Sequence, residues 1–234
     1  MTTRGTGPGH RAERPIVELL IDAPREDVWR AVSTTDGVRE WFGYDYDERH
    51  GSCPARPAAG FDAEVRAFVD GAQLSPPERM AFDDDTALTV TADGPRTIVR
   101  LIVPDVADAK WEELYDGVAA GWRFYLEQLR FWLEAAPEGA RRTVYLAGEA
   151  TGPQVVALVG PGTPWHEASV VTPHGWLVSV GADPHSTTAG PVNVIVSTYG
   201  LDDAAFAAVR NDWSDRWLAA VRNPEIITTD RATV

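Results

Sequence analysis

Between positions 105 and 137 the apolar residues recur at three- and four-residue steps: Trp111, Leu114, Tyr115, Val118, Trp122, Tyr125, Leu126, Leu129 and Leu133. That spacing marks one face of an α-helix. The helix starts at Asp105 or Asp108 and stops at Pro137-Glu138-Gly139, about seven turns at 3.6 residues per turn. A long helix with a stripe so rich in rings has to lie against a broad apolar surface. The preceding segments supply one. Residues 79–82, 87–92 and 97–103 read as strands, with Asp93-Gly94-Pro95 turning between the last two. Residues 61–69 alternate, with Phe61, Ala63, Val65, Ala67 and Val69 on one face, and are expected to form a further strand closed by Asp70-Gly71. Upstream, 16–21 is a first strand. Pro24, Glu26 and Asp27 then mark the first turn of a helix with Val28, Trp29, Ala31 and Val32 as its apolar face. Asp36 is expected to cap a short second helix ending in Trp41-Phe42-Gly43. The class is α+β: an antiparallel meander followed by a long amphipathic helix.

The chain then starts again. Residues 143–147, 155–159, 169–172, 176–181 and 192–199 read as strands separated by Gly- and Pro-rich turns. Asp202 or Asp203 caps a last helix with Phe206, Val209, Arg210, Trp213, Trp217 and Val221 along one face. The expected organisation is a disordered N-terminus over 1–14, a first domain over 15–136, an accessory α+β module over 141–223 and a loose tail over 224–234. Both halves run from strands to an Asp-capped helix carrying Trp. Their residues are dissimilar, so an internal repeat stays an open alternative.

Composition narrows the function classes. The chain has 234 residues, and 35 acids against 21 bases give a net charge of −14. Such a charge does not attract phosphate backbones or anionic membrane surfaces, so neither nucleic acid nor membrane is an expected partner. No apolar run approaches the ~20 residues of a spanning helix. Residues 1–15 lack the apolar stretch of a secretory signal. Cys53 is the single cysteine, which leaves no internal disulfide framework and no multi-cysteine metal site. A soluble, cytoplasmic protein is the expectation.

Three separated pieces carry a family resemblance: Ile21-Asp22-Ala23-Pro24-Arg25-Glu26-Asp27-Val28-Trp29; Gly37-Val38-Arg39-Glu40-Trp41-Phe42; and Asp116-Gly117-Val118-Ala119-Ala120-Gly121-Trp122 with Leu126 and Leu129. In this order and spacing they resemble the START-like helix-grip (SRPBCC) superfamily, and within it the bacterial branch named after the activator of Hsp-90 ATPase. The resemblance covers about residues 14–135. It implies a sheet gripping the long helix around a cavity open at one end. It also implies non-catalytic binding of a hydrophobic small molecule, lipid or polyketide-like, without a cofactor. Two alternatives stay open. One is cyclase-type chemistry in that cavity. The other is a co-chaperone role in a stress response, as the branch name suggests. A homodimer or a chaperone partner is compatible with the last. The C-terminal module could be a lid, a dimerisation element or a second, degenerate grip. It is expected to pack against the first domain near the cavity mouth.

The expected cavity wall is Trp41, Phe42, Val65, Ala67, Met80, Phe82, Leu101, Val118, Trp122, Tyr125 and Leu126, with Tyr115 and Tyr125 as hydroxyl anchors. The same side chains could equally fill a plain core. Glu64 and Arg66 have the opposite strand parity to Val65 and are expected to face water, and Arg100 is a further charged candidate. His166, His174 and His185 lack a metal-ligand spacing, so no metal site is expected. Cys53, Ser52 and Ser197 lack the context of a nucleophile, so no catalytic residue is assigned. Asp83-Asp84-Asp85 reads as a solvated turn rather than a calcium loop.

Overall fold

The computed structural model describes residues 13–45, 60–83, 85–104, 109–166 and 169–228, with backbone alone for 109–117 and 166. Two antiparallel sheets follow one another along the chain. The first contains β1 (Glu13–Ile21), β2 (Gln73–Ser75), β3 (Arg79–Ala81), β4 (Ala87–Asp93) and β5 (Arg96–Pro104), in the order β1-β5-β4-β3-β2. Its helices are α1 (Arg25–Ser33), α2 (Thr35–Arg39), α3 (Phe61–Asp70) and α4 (Ala109–Ala135). The second contains β6 (Arg141–Ala150), β7 (Thr163–His166), β8 (Ser169–Val171), β9 (Leu177–Gly181), β10 (Gly190–Tyr199) and β11 (Arg222–Thr228), in the order β11-β6-β10-β9-β8-β7. Its helices are α5 (Gly152–Val159) and α6 (Asp203–Ala220).

Local chemistry explains most of these elements. In β1 the inward positions Val17, Leu19 and Ile21 are buried and the residues between them are not. Pro24 precedes α1, Glu26 and Asp27 lie in its first turn, and Val28, Ala31 and Val32 are its buried face. Thr34, rather than Asp36, caps α2: its hydroxyl accepts from the Gly37 amide at 3.1 Å. Gly37 lets α1 and α2 approach closely, since a Cβ there would sit 2.7 Å from the Ala31 backbone. Asp202 caps α6 by accepting from the Ala205 amide at 2.8 Å.

Three expected segments also require correction. Residues 61–69 are helical, as α3. The apparent alternation hid a helical face, because Phe61 and Val65 lie four apart and Phe68 and Val69 follow at the next turn. Asp62 and Glu64 sit in the first turn of α3, where the dipole favours acids. Residues 155–159 are helical too, as part of α5. Thr151 and Gln154 close a capping box there, and Pro153 sits in the first turn. The tail begins in order: β11 pairs with β6, with Ile226 opposite Leu146 and Ile227 opposite Tyr145. At the other end β1 starts at Glu13; residues 1–12 and 229–234 lie outside the described residues.

The two sheets have the same connectivity. A first strand (β1 or β6) leads into a helix (α1 or α5). Four strands follow, of which the last pairs with the first, and then comes a long helix (α4 or α6). Even the junctions correspond. Ile21 faces Thr97 at the end of β1, and Ala150 faces Gly190 at the end of β6. Val28 and Val155, each the fourth residue of the helix that follows, are fully buried. The first unit adds α2 and α3; the second adds β11.

The second sheet also serves the first unit. Its Val144, Leu146, Val178, Val194 and Val196 share a core with Phe206, Trp213 and Trp217. Its opposite face meets α4, where Phe131 packs with Leu177 and Tyr199. Leu126 and Leu129 of α4 join the core of the first sheet. The long helix therefore lies between two sheets, which is why its apolar residues spread beyond one stripe.

Candidate ligand-binding site

The first unit gathers rings from four places. Trp41 and Phe42 follow α2, Phe68 belongs to α3, Phe82 follows β3, and Trp122 and Tyr125 project from α4. Trp41 is fully buried, and its indole N–H donates to the Ala31 carbonyl at 2.9 Å. Phe42 and Phe68 stack at 4.6 Å, and Trp41 meets both edge-on. Phe82 lies 5.0 Å from Phe68, and Tyr125 lies 5.2 Å from Phe42. Trp122 lies 6.3 Å from Phe42 and 6.0 Å from Phe68. These separations suit aromatic pairs. Val65, Met80, Leu101 and Leu126 are fully buried in the apolar core of the first unit. Phe42, Phe68, Phe82, Val118, Trp122 and Tyr125 pack on it but stay partly exposed.

Trp41, Phe42, Val65, Met80, Phe82, Leu101, Val118, Trp122, Tyr125 and Leu126 thus come together in one cluster. Ala67 does not: at 100° per helical residue it turns away from Val65 and is exposed. Tyr115 belongs to α4, but its side chain lies outside the described residues. Phe68 was missed because a strand reading put it on the outer face; its three-residue step from Val65 was the available signal. Arg66 is exposed on α3, and Arg100 pairs with Glu18 at 2.6 Å on the outer side of the first sheet.

Beside the rings runs a buried polar network that the sequence reading did not single out. Arg141 of β6 is 7% exposed. Its guanidinium donates to the carbonyls of Phe42 at 3.0 Å and Gly43 at 2.7 Å, to Ser197 Oγ at 3.3 Å and to the Gln128 side-chain oxygen. Its backbone N–H donates to the Glu40 carboxylate at 3.3 Å. Tyr199 donates to the Glu40 carbonyl at 3.2 Å, and the Asp45 amide donates to Thr143 Oγ1 at 2.7 Å. Tyr44 stacks on Tyr145 at 3.9 Å. Segment 39–45 is thus a strap: one side carries Trp41 and Phe42 into the rings, and the other is tied to the second sheet. Gly43 bends it at φ +52.

The electrostatics follow from burial. Burial raises Asp45 from its ordinary 3.8 to about 6, against the pull of Arg141 and Arg39 and with Asp62 and Glu40 adding to the rise. Burial also raises Glu40, which Arg141 opposes, and pushes Tyr199 up to about 12.

The remaining sequence candidates do not converge. His174 stacks on Trp176 in an exposed turn, and His185 is exposed. Ser197 belongs to the Arg141 network. The His166 side chain, Ser52, Cys53 and Asp84 lie outside the described residues. Among the described residues no three of His, Cys, Asp and Glu cluster as metal ligands, and no helix is long and apolar enough to cross a membrane. An open cleft of about 450 Å³ lies at the far end of α4, between Trp132, Leu133 and Pro137 and the start of α1 at Asp22, Pro24 and Asp27.

Fold and site together define an α+β protein with two successive grip-like units, of which the first presents a partly open aromatic cluster. Among solved structures the chain is similar to DynU16, a protein in the dynemicin biosynthetic locus. The identity is 16%, with 91% of this chain and 96% of that chain covered and a TM-score of 0.35. The match is too loose to transfer any residue role. No family model matches the chain, and no curated protein matches it.

Proposed function

We propose that the protein binds a hydrophobic, ring-containing small molecule against the aromatic cluster of its first unit, without covalent chemistry. One comparison within the chain carries this reading. The second unit fills the space under its long helix with its own side chains: Phe206 is 0% and Trp217 1% exposed, and the Trp217 indole donates to the Ala147 carbonyl at 2.9 Å. The first unit, built on the same connectivity, leaves Phe42, Phe68, Phe82, Trp122 and Tyr125 partly in water. Apolar area left in water forgoes about 25 cal/mol per Å². An apolar guest with a flat face recovers that term and stacks on the rings.

Native mass spectrometry of the purified protein, followed by denaturation and extraction, tests the occupancy. The expected result is an apolar mass that leaves on unfolding. Titration with the neutral fluorophore N-phenyl-1-naphthylamine tests the surface. Trp122→Ala should weaken its binding about tenfold, the loss expected when an aromatic contact goes. Equal binding by folded Trp122→Ala, or no binding by the wild type together with a clean apo mass, overturns the proposal.

A further inference from the structure

We infer that the second unit sets the ligand affinity of the first through Arg141, a positioning residue that fixes strap 39–45 and with it the Phe42 ring. The inference rests on the function proposed above and adds how that site is held.

The geometry leads here in three steps. Phe42 is one of two hubs of the site: it meets Trp41, Phe68, Trp122 and Tyr125, and Phe68 meets Trp41, Phe42, Phe82 and Trp122. The Phe42 backbone is held from the second sheet: the carbonyls of Phe42 and Gly43 both accept from the Arg141 guanidinium. The guanidinium is itself aimed by Ser197 of β10 and Gln128 of α4, both buried, and Ser197 donates to Gln128 at 3.0 Å. A planar fork held on several acceptors has one orientation, which a lysine or an apolar residue does not reproduce.

Energetics point the same way. A buried cation carries a desolvation cost that an apolar side chain of similar volume avoids. Stability alone gives little reason to keep an arginine between two units that already share apolar contacts, Ile227 of β11 among them. Positioning does give a reason. Ring contacts weaken steeply when one partner shifts by a fraction of an ångström to an ångström, and a strap with a left-handed bend at Gly43 has other conformations open to it once the Phe42 carbonyl is released and the Gly43 carbonyl keeps only the Gln128 side-chain amide at 3.4 Å.

The test pairs hydrogen exchange with probe binding in the full chain. Arg141→Met should speed exchange of the 39–45 amides about tenfold while leaving α6 unchanged, and should weaken N-phenyl-1-naphthylamine binding about tenfold with a red-shifted emission. Ser197→Ala, which loosens the fork without removing it, should shift both readings less and in the same direction. Arg142→Met is the control: Arg142 pairs with Asp203 at 2.8 Å and lies over Phe206 on the other face of β6, so both readings should match wild type. Should Arg141→Met not fold, Ser197→Ala decides. Unchanged strap exchange in the folded variants overturns this inference alone, as does faster exchange with wild-type affinity. A wild type that binds no probe and gives a clean apo mass overturns the function proposed above, and the exchange result then shows separately whether Arg141 holds the strap.

Discussion

Asp45 shows how a single residue reports on the junction. Its carboxyl is raised from 3.8 to about 6, chiefly by burial. Between these values the folded chain keeps a proton that the unfolded chain has released, so stability falls as pH rises through that window and the full penalty applies above about 6. Asp45→Asn removes the penalty. Chemical denaturation should find the variant more stable than wild type near neutral pH, by about 1–3 kcal/mol, with the difference gone near pH 4. A loss of stability at neutral pH would instead mean that attraction to Arg141 outweighs desolvation. Two glycines give a second test at this scale. A Cβ at Gly37 meets backbone at 2.7 Å, whereas one at Gly121, on the exposed side of α4, meets nothing within 4 Å. Gly37→Ala should therefore cost about 1–3 kcal/mol, and Gly121→Ala should gain about 0.5–1 kcal/mol. Thermal melts of the two variants should move in opposite directions.

At the scale of elements, α4 and α6 were legible because their apolar faces persist over many turns, far beyond what chance spacing gives. The strands of the two meanders were legible from their turns, as at Asp93-Gly94-Pro95. Segment 61–69 misled because every second residue is apolar or alanine, and over nine positions that pattern also satisfies a helical face. Alanine at 63 and 67 tipped the balance, being a strong helix former with little to offer a sheet. In 155–159 a continuous apolar run fits a buried strand or a buried helix equally, and the preceding Thr151-Gly152-Pro153-Gln154 box decides for the helix. β11 was read as a tail because Pro224 sits at its start, yet an edge strand tolerates proline there.

The whole molecule is two units of one connectivity sharing a helix between their sheets. Cutting the chain after residue 136 would strip the second sheet from α4. Phe131, now 2% exposed, would face water, and the strap would lose Arg141. The fragment 1–136 should therefore bind hydrophobic dye non-specifically and sediment as aggregates rather than as a compact monomer. A soluble, cooperatively melting fragment would show that the first unit stands alone and that the second merely adjoins it.

By itself the sequence determined the α+β class, the long helix and its end, and most strands. These follow from periodicity and turn chemistry, which are written locally; the gathering of Trp41, Phe42, Met80, Phe82, Leu101, Val118, Trp122, Tyr125 and Leu126 was expected from a family resemblance, and Val65 joins them on a helix rather than on the expected strand. Tertiary structure alone decided that the second sheet covers the back of α4, that α3 brings Phe68 to the rings, and that Arg141 reaches the strap across 98 positions of sequence. A buried arginine looks like any other in a sequence, because its place is set by carbonyls that only the folded chain brings within hydrogen-bond distance.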